Sequence, residues 1–168
     1  VQKKYSLVND KLYLKNIKNK GKGIFTNSKI KKGDIIIVFG GHVMTERQHM
    51  KVPKILWPYA YNIADGILFG IKTKKEISIA EYLNHSCEPN CGFKNQLFIV
   101  AIKDINQGDE VTIDYAFAVN SHDPYIKCHC GAKTCRKVIK YNDWKLPRLI
   151  KKYKQYYHPY LKEKLVSL

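Results

Sequence analysis

EYLNHSCEPNC, residues 81–91, packs one histidine, two cysteines and two asparagines into eleven positions and ends on a proline-asparagine turn. Such a stretch leaves almost no room for a helix. It suits a metal site, a thiol nucleophile, or a loop shaped to hold a polar cofactor. As neighbours two residues apart, His85 and Cys87 are not expected at hydrogen-bonding geometry, and no third residue clearly orients the histidine. Both points weigh against the nucleophile.

Outward from this loop the chain reads as short strands. LYLKNI (12–17) and GIFTNS (23–28) are strand-like and separated by the turn signal Asn19-Lys20-Gly21. DIIIVFGG (34–41) reads as a buried strand ending in two glycines, and TERQHM (45–50) as one or two helical turns capped by Thr45. YNIADGILFGI (61–71) predicts a hairpin, because Asp65-Gly66 favours the positive backbone angles of a type I′ turn. SIAEYL (78–83) predicts a single helical turn, GFKNQLFIVAI (92–102) another hairpin, and EVTIDY (110–115) a strand. KIKKGDIII (29–37) and KDINQGDEV (103–111) share a turn-Gly-Asp-strand plan, read as one turn chemistry used twice.

Past Tyr141 the texture changes. Leu146, Leu149, Ile150, Tyr153 and Tyr157 recur at helical spacing, Pro147 suits a first turn, and His158-Pro159 should break the helix before a last short one. The fold class is therefore mainly β with a C-terminal helical extension. No Pro/Gly/Ser linker precedes that extension, so it is expected to pack on the same domain.

The 168 residues, 45% of them apolar and 12 of them tyrosine, suit one globular domain with a real core. The longest apolar run, IIIVF (35–39), is strand-sized, so no membrane partner is expected. The net charge of +16 is uneven. Residues 1–54 hold 13 Lys/Arg against 3 Asp/Glu, residues 125–168 hold 12 against 2, and residues 55–124 hold 5 against 9. Basic flanks around an acidic middle suit a protein that docks on a polyanion such as DNA or a nucleosome while receiving a basic segment in its site. The plain alternative is a lysine-rich, solvated surface.

The five cysteines cluster at 87, 91, 128, 130 and 135. An odd, clustered set points to an intracellular, reducing setting and a metal site, not a disulfide framework. KCHCGAKTC (127–135) has the form C-x-C-x4-C, and structural zinc wants four soft ligands. Cys91, beyond Pro89-Asn90, is expected to join Cys128, Cys130 and Cys135 as the fourth. Cys87, among small residues, is expected to be a buried apolar thiol, and His129 to point away. Such a site would clamp the segment after Tyr115 over residues 84–91. Asn84, His85 and Asn90 then fit a cofactor-holding loop.

NHSCEPNC with GDEVTIDY (108–115) resembles the signature pair of SET-domain protein lysine methyltransferases, and KGKGIF (20–25) resembles their N-terminal glycine motif. CHCGAKTCRKVI (128–139) is similar to the zinc-binding post-SET segment of that family. The four motifs follow the family's order. The C-terminal tail resembles, more faintly, extensions on small stand-alone SET proteins of bacteria. This resemblance implies a SET domain at 1–118, a post-SET zinc-binding segment at 119–140 and a helical extension at 141–168. It also implies the family's β-fold of small curved sheets with a pseudoknot, in which residues 84–90 and 110–115 lie side by side at the crossing.

The implied activity is methyl transfer from S-adenosylmethionine to a lysine of a histone tail or similar basic segment, with Zn2+ as a structural ion. Tyr115 is by resemblance the catalytic phenol. Lys22, Gly23, Tyr82, Asn84, His85 and Ile139 are expected to bind the cofactor, and Tyr61, Ile113 and Phe117 to border the substrate. Glu110 and Asp114 are expected to be structural carboxylates. A lysine amine starts from a pKa of about 10.4, and a sulfonium beside it in a dry channel favours its neutral form, so no strong general base is obligatory. Three positions depart from the family: Glu81 stands where many members carry arginine, Lys137 where glycine is common, and Ile113 where an aromatic residue limits the bulk of the product. The last implies methylation beyond the first step. The implied location is the nucleus for a eukaryotic or viral source, and the cytoplasm or a host cell for a bacterial one. The rival reading is an inactive SET fold or a zinc-stapled nucleic-acid-binding module. Its aromatic residues are not spaced as a stacking platform, whereas Tyr115, Asn84 and His85 are all present.

Overall fold

The computed structural model describes residues 5–18, 21–119 and 125–167, so Asn19 and Lys20 of the expected first turn lie outside the described residues. Branched and aromatic runs between turn signals become β1 (Leu7–Val8), β2 (Leu12–Ile17), β3 (Gly21–Thr26), β4 (Ile35–Val38) and β5 (His42–Thr45). Thr45 then caps α1 (Glu46–His49) in a reciprocal box with Gln48. β6 (Tyr61–Ala64) and β7 (Ile67–Gly70) form the hairpin predicted at Asp65-Gly66, where Gly66 takes φ +70°. A 3-10 turn at Ile79–Tyr82 leads into β8 (Asn84–His85), followed by β9 (Cys91–Phe93), β10 (Phe98–Ala101) and β11 (Glu110–Ile113). β12 (Tyr125–Lys127), β13 (Val138–Lys140), α2 (Pro147–Tyr153) and α3 (Pro159–Val166) complete the chain.

The largest sheet runs β1-β4-β10-β9-β11-β3-β2, with β8 also beside β11; β5-β7-β6 and β12-β13 form two smaller sheets. Ile24, Ile36, Ile37, Ile99 and Val111 fill the core between them. The two echoed segments meet: Ile30 and Ile105 exchange both backbone hydrogen bonds at 3.0 Å. In each, an aspartate closes the turn, Asp34 accepting from the Lys31 N–H and Asp109 from the Asn106 N–H, both at 3.0 Å.

The helical extension packs on this same core through Leu149, Tyr153, Tyr157 and Leu161. Phe117 was expected to border the substrate. It is instead fully buried, its ring against Tyr153 and Tyr157 with centroids 5.4 and 5.2 Å apart. The turn at Tyr115–Phe117 aims it inward, and the helical tail covers it.

One strand fixes the topology of the centre. Ile113 of β11 pairs in parallel with His85 on one edge and Cys91 on the other. The Ser86 N–H donates to the Ile113 carbonyl at 2.9 Å, and the Asn90 N–H donates to the Thr112 carbonyl at 3.2 Å. Residues 86–90 therefore arch across β11, and the strand is threaded through the loop as a pseudoknot. Asn90 locks the arch: its Nδ2 donates to the Glu110 carbonyl and its Oδ1 accepts the Thr112 N–H, both at 2.8 Å. It is buried and fully committed, a strut where a cofactor contact was expected.

Candidate active site

The crossing delivers Tyr115 to a defined place. Asp114 ends β11 and caps the turn Tyr115–Phe117, its Oδ1 accepting the Ala116 N–H at 2.9 Å. The Tyr115 N–H donates to His85 Nδ1 at 3.1 Å, and the Tyr115 hydroxyl donates to the Leu83 carbonyl at 3.1 Å. Both ends of the tyrosine are thus held by the segment on the far side of the crossing. Burial, reinforced by Glu110 and Tyr59, pushes its phenol up to about 12, although 37% of the residue stays exposed. It is a neutral hydrogen-bonding group at physiological pH.

Asn84 stands beside the glycine motif. Its Nδ2 donates to the Lys22 carbonyl at 3.0 Å and to Glu110 Oε1 at 2.8 Å, so both donor hydrogens are used and Oδ1 remains as an acceptor. A Cβ at Gly23 would lie 2.6–2.8 Å from the side-chain ends of Ile17, Glu110 and Asn84, so a larger residue here would push the Asn84 amide and the Glu110 carboxylate aside. Lys22 Nζ rests 5.4 Å from the centre of the Tyr82 ring. Glu81 does not substitute for a missing arginine: its carboxylate accepts the Ser78 N–H and closes a capping box on the turn Ile79–Tyr82.

Next to Tyr115 opens a cavity of about 240 Å³ lined mainly by apolar side chains, including Tyr61, Leu83, Phe93, Ile113, Ala116, Ala118 and Ile139. Tyr61 is a wall of this cavity and also part of an aromatic cluster with Phe39, Phe69, Phe93 and His158. Its hydroxyl donates to the Gln96 carbonyl at 3.0 Å, so it presents its ring. Ile113 and Ile139 line the cavity, and Ala116 and Ala118 occupy the wall that Phe117 leaves.

Beside this wall lies a cysteine cluster, and here the expected ligands change. Cys91 sits on β9, fully buried in the main core, with its thiol pushed far up by that burial. It is the apolar thiol, and Cys87 is the residue that meets the tail. Cys87 and Cys128 sulfurs are 3.9 Å apart, Cys135 and Cys128 sulfurs 3.7 Å, and the Cys87 N–H points at Cys130 Sγ at 3.5 Å. Zinc bound at about 2.3 Å in a tetrahedron of thiolates sets the sulfurs about 3.8 Å apart, which these two sulfur pairs match. A His85 ring nitrogen lies with the Cys87, Cys128 and Cys130 sulfurs within 4.8 Å of one another, so the cluster fits the ion. Burial pushes the Cys87 thiol up to about 11. At Cys130 burial also raises, but the N–H groups of Cys87 and Ala132 outweigh it and bring the thiol to about 7. A bound cation would favour thiolates throughout.

His85 touches the cluster as well. Its Nε2 lies 3.3 Å from Cys87 Sγ, against the expectation that these neighbours would miss one another. Burial, with Asp114 opposing and Arg136 assisting, lowers the ring to about 4, so it is neutral, with Nδ1 accepting from Tyr115 and Nε2–H directed at sulfur. With Nδ1 on the Tyr115 N–H and Nε2 beside the cysteine cluster, the His85 backbone is the part left for a cofactor.

Sequence reasoning passed over Arg136. Its guanidinium forks onto Asp114 at 2.7 and 2.6 Å, and its Nε lies 2.8 Å from Asp143 Oδ2 in an ion pair not aligned as a hydrogen bond. The signal available was its place directly after the last cysteine of the tail motif. Next to it Lys137 takes φ +64°, so the turn keeps the left-handed form that glycine would supply.

The SET domain family model matches residues 21–116. The chain is 30% identical over 131 residues to histone-lysine N-methyltransferase trithorax of Drosophila virilis, a match covering 71% of this chain and 3% of that protein. It is 32% identical over 127 residues to the H3 lysine-4 specific histone-lysine N-methyltransferase of Schizosaccharomyces pombe, covering 68% and 13%. The chain therefore spans a small part of the length of these relatives. A crystal structure of KRYPTONITE in complex with mCHH DNA, H3(1–15) peptide and SAH shares the fold, with a TM-score of 0.61 and 23% identity over 78% of this chain and 30% of that one.

Proposed function

The chain belongs to the SET-domain family, and on that premise we propose that it is a protein-lysine N-methyltransferase acting on a histone tail or a similarly basic, extended segment. The observation that carries this reading is the Tyr115 hydroxyl, held on the Leu83 carbonyl at an apolar cavity beside Asn84 and Gly23. S-adenosylmethionine, when bound, supplies a sulfonium methyl group. The names of the two histone-lysine N-methyltransferases and the SAH and H3 peptide of the KRYPTONITE complex support that cofactor and substrate class.

The chain's own residues bind, orient and exclude water. Asn84 Oδ1 is an acceptor suited to the cofactor's ammonium, and the backbone at Lys22, Gly23 and His85 offers polar contacts beside it. Ile113, Leu83, Ala116 and the Tyr61 ring strip water from a lysine stem. The Leu83 carbonyl and the Tyr115 oxygen are two acceptors that can hold the amine hydrogens and so aim its lone pair, and such positioning supplies much of the rate in a displacement. Of the two carboxylates that line the cavity among the described residues, Asp114 is paired with Arg136 and Glu81 is turned to the Ser78 N–H as a cap. Ile113 brings no hydroxyl to hold water, which favours methylation beyond the first step. A product that stays monomethyl in mass spectra after long incubation contradicts that detail.

Partners follow from charge. Lys145, Arg148, Lys151, Lys152 and Lys154 are exposed on and around α2, with no acidic residue in that helix. This face suits the phosphates of DNA or a nucleosome, in keeping with work at chromatin for a eukaryotic or viral source. The test is incubation with labelled S-adenosylmethionine and mixed histones. Transfer is expected in the parent, a loss of about 10²-fold or more in Tyr115→Phe, and loss with zinc release in Cys130→Ser. DNA binding without cofactor binding or transfer would instead favour the binding module.

A further inference from the structure

Three segments distant in sequence meet at a single buried side chain. Arg136 is 5% exposed in its side chain and engages all three. Its backbone N–H donates to Cys87 Sγ at 3.3 Å, which ties it to the arch of the crossing. Its two terminal nitrogens hold both oxygens of Asp114, and its Nε faces Asp143 at the head of the helical extension. Asp114 in turn shapes the turn that carries the phenol. One of its oxygens accepts the Ala116 N–H and lies 3.5 Å from the His85 nitrogen that holds the Tyr115 N–H.

We propose that Arg136 is the positioning residue for Tyr115: it fixes the Asp114 carboxylate, and through it the 115–117 turn, while joining the cysteine clamp and the helical extension to the catalytic centre. The proposal rests on the methyltransferase reading. Two buried carboxylates, Asp114 and Asp143, share this one guanidinium, so its loss leaves Asp114 without the partner that holds it in one place. The acceptor of the Ala116 N–H is then no longer fixed, so the turn after Tyr115 loosens while the tyrosine keeps its bonds to the Leu83 carbonyl and to His85 Nδ1. Displacement of a reacting group by about 1 Å costs on the order of 10²-fold in rate. Lysine cannot replace the function fully, because a point charge does not fork both Asp114 oxygens while facing Asp143. Arg136 is not among the described residues that line the cavity, so substrate affinity does not depend on it directly.

The test compares the parent, Arg136→Gln, Arg136→Lys and Asp143→Asn on the full chain. In Arg136→Gln, kcat is expected to fall about 10²-fold, with KM for a histone peptide and the affinity for S-adenosylhomocysteine within about threefold of the parent. Bound zinc should be unchanged. Hydrogen exchange at the Tyr115 and Ala116 amides should accelerate at least about tenfold, with the β2–β3 amides unaffected. Arg136→Lys should recover part of kcat, and Asp143→Asn, which removes only the tail's end of the bridge, should lose less than Arg136→Gln. An unchanged kcat, or unchanged exchange at 115–116 in a folded Arg136→Gln, overturns the proposal. So does loss of zinc in step with activity in both Arg136 variants, since Arg136 would then merely support the clamp. If Arg136→Gln does not fold, the same readouts on Arg136→Lys decide. If the parent transfers no methyl group, the enzymatic reading fails, and the amide exchange alone judges the role of Arg136.

Discussion

The threaded crossing and the helical tail converge on the same turn, Tyr115–Phe117, by opposite physics. At the crossing, side chains are matched to particular backbone groups of another segment: Asn90 to Glu110 and Thr112, Asn84 to Lys22, His85 to Tyr115. In the tail, Tyr153 and Tyr157 pack on Phe117, His158 packs edge-on against Tyr61 and Phe93, and few hydrogen bonds leave the helices. A hydrogen-bonded strut tolerates no substitute, because its removal orphans two buried groups, whereas packing accepts other apolar shapes of similar volume. The crossing is therefore written in fixed words, and the tail in spacing alone.

The sharpest way to break the crossing is through its cysteines. Cys87→Ser is expected to abolish zinc binding, and structural zinc is worth on the order of 10 kcal/mol in small domains. Cys91→Ser should keep about one zinc per chain and lose only about 1–3 kcal/mol of stability from a buried hydroxyl. Metal content measured on the two proteins separates them, and the reverse pattern would restore Cys91 as a ligand. Next in size is Asn90→Ala, which leaves the Thr112 N–H and the Glu110 carbonyl unpaired in the interior and should cost about 2–5 kcal/mol. A denaturation midpoint close to the parent's would show that the arch does not depend on this strut.

The same contrast explains what could be read from the residues. β2, the Asp65-Gly66 hairpin, the Thr45 cap and the Pro147 helix start follow from local chemistry, and all appear where periodicity and turn signals put them. Tyr115, Asn84, Gly23 and the three tail cysteines were legible because motifs mark them. Cys87 and Cys91 were exchanged because their roles depend on which way a strand faces. β9 turns Cys91 into the core, while the residue four places earlier leaves β8 toward the tail. Phe117 failed for a similar reason, since only the packed extension reveals that its ring has a place inside. Arg136 and His85 act through partners 22 and 30 residues away, and no local pattern records those partners.

The tail carries a pH vulnerability of its own, of the same kind as that of buried His85 at the crossing. His158 is fully buried between Tyr61 and Phe93, and burial, opposed by the Gln96 backbone and assisted by Lys162, lowers it from 6.5 to about 4. Its folded pKa lies below the unfolded one, so the unfolded chain binds the extra proton first. Stability is whole above about pH 6.5 and declines as pH falls toward 4. Between pH 7 and 5 this single residue should remove about 2 kcal/mol. His158→Phe, which keeps the ring contacts, should lose less stability over that interval than the parent by about this amount. Equal losses in both proteins would mean the imidazole is not held neutral.

The smallest effect sharpens the contrast from the other side, since even the motif-written clamp holds one position that its sequence does not suit. Lys137 adopts φ +64°, where a Cβ crowds the following carbonyl at about 1 kcal/mol, and its own carbonyl must accept the Cys128 N–H at 2.7 Å. The backbone keeps this form because the Cys128 N–H needs the Lys137 carbonyl, whatever side chain that residue carries. Lys137→Gly relieves the crowding but gives the unfolded chain more freedom, so the net gain should be about 0.5 kcal/mol. Slower zinc loss to a chelator, with catalysis unchanged, is the expected result. Faster loss would show that the lysine side chain holds the turn by a contact worth more than the strain.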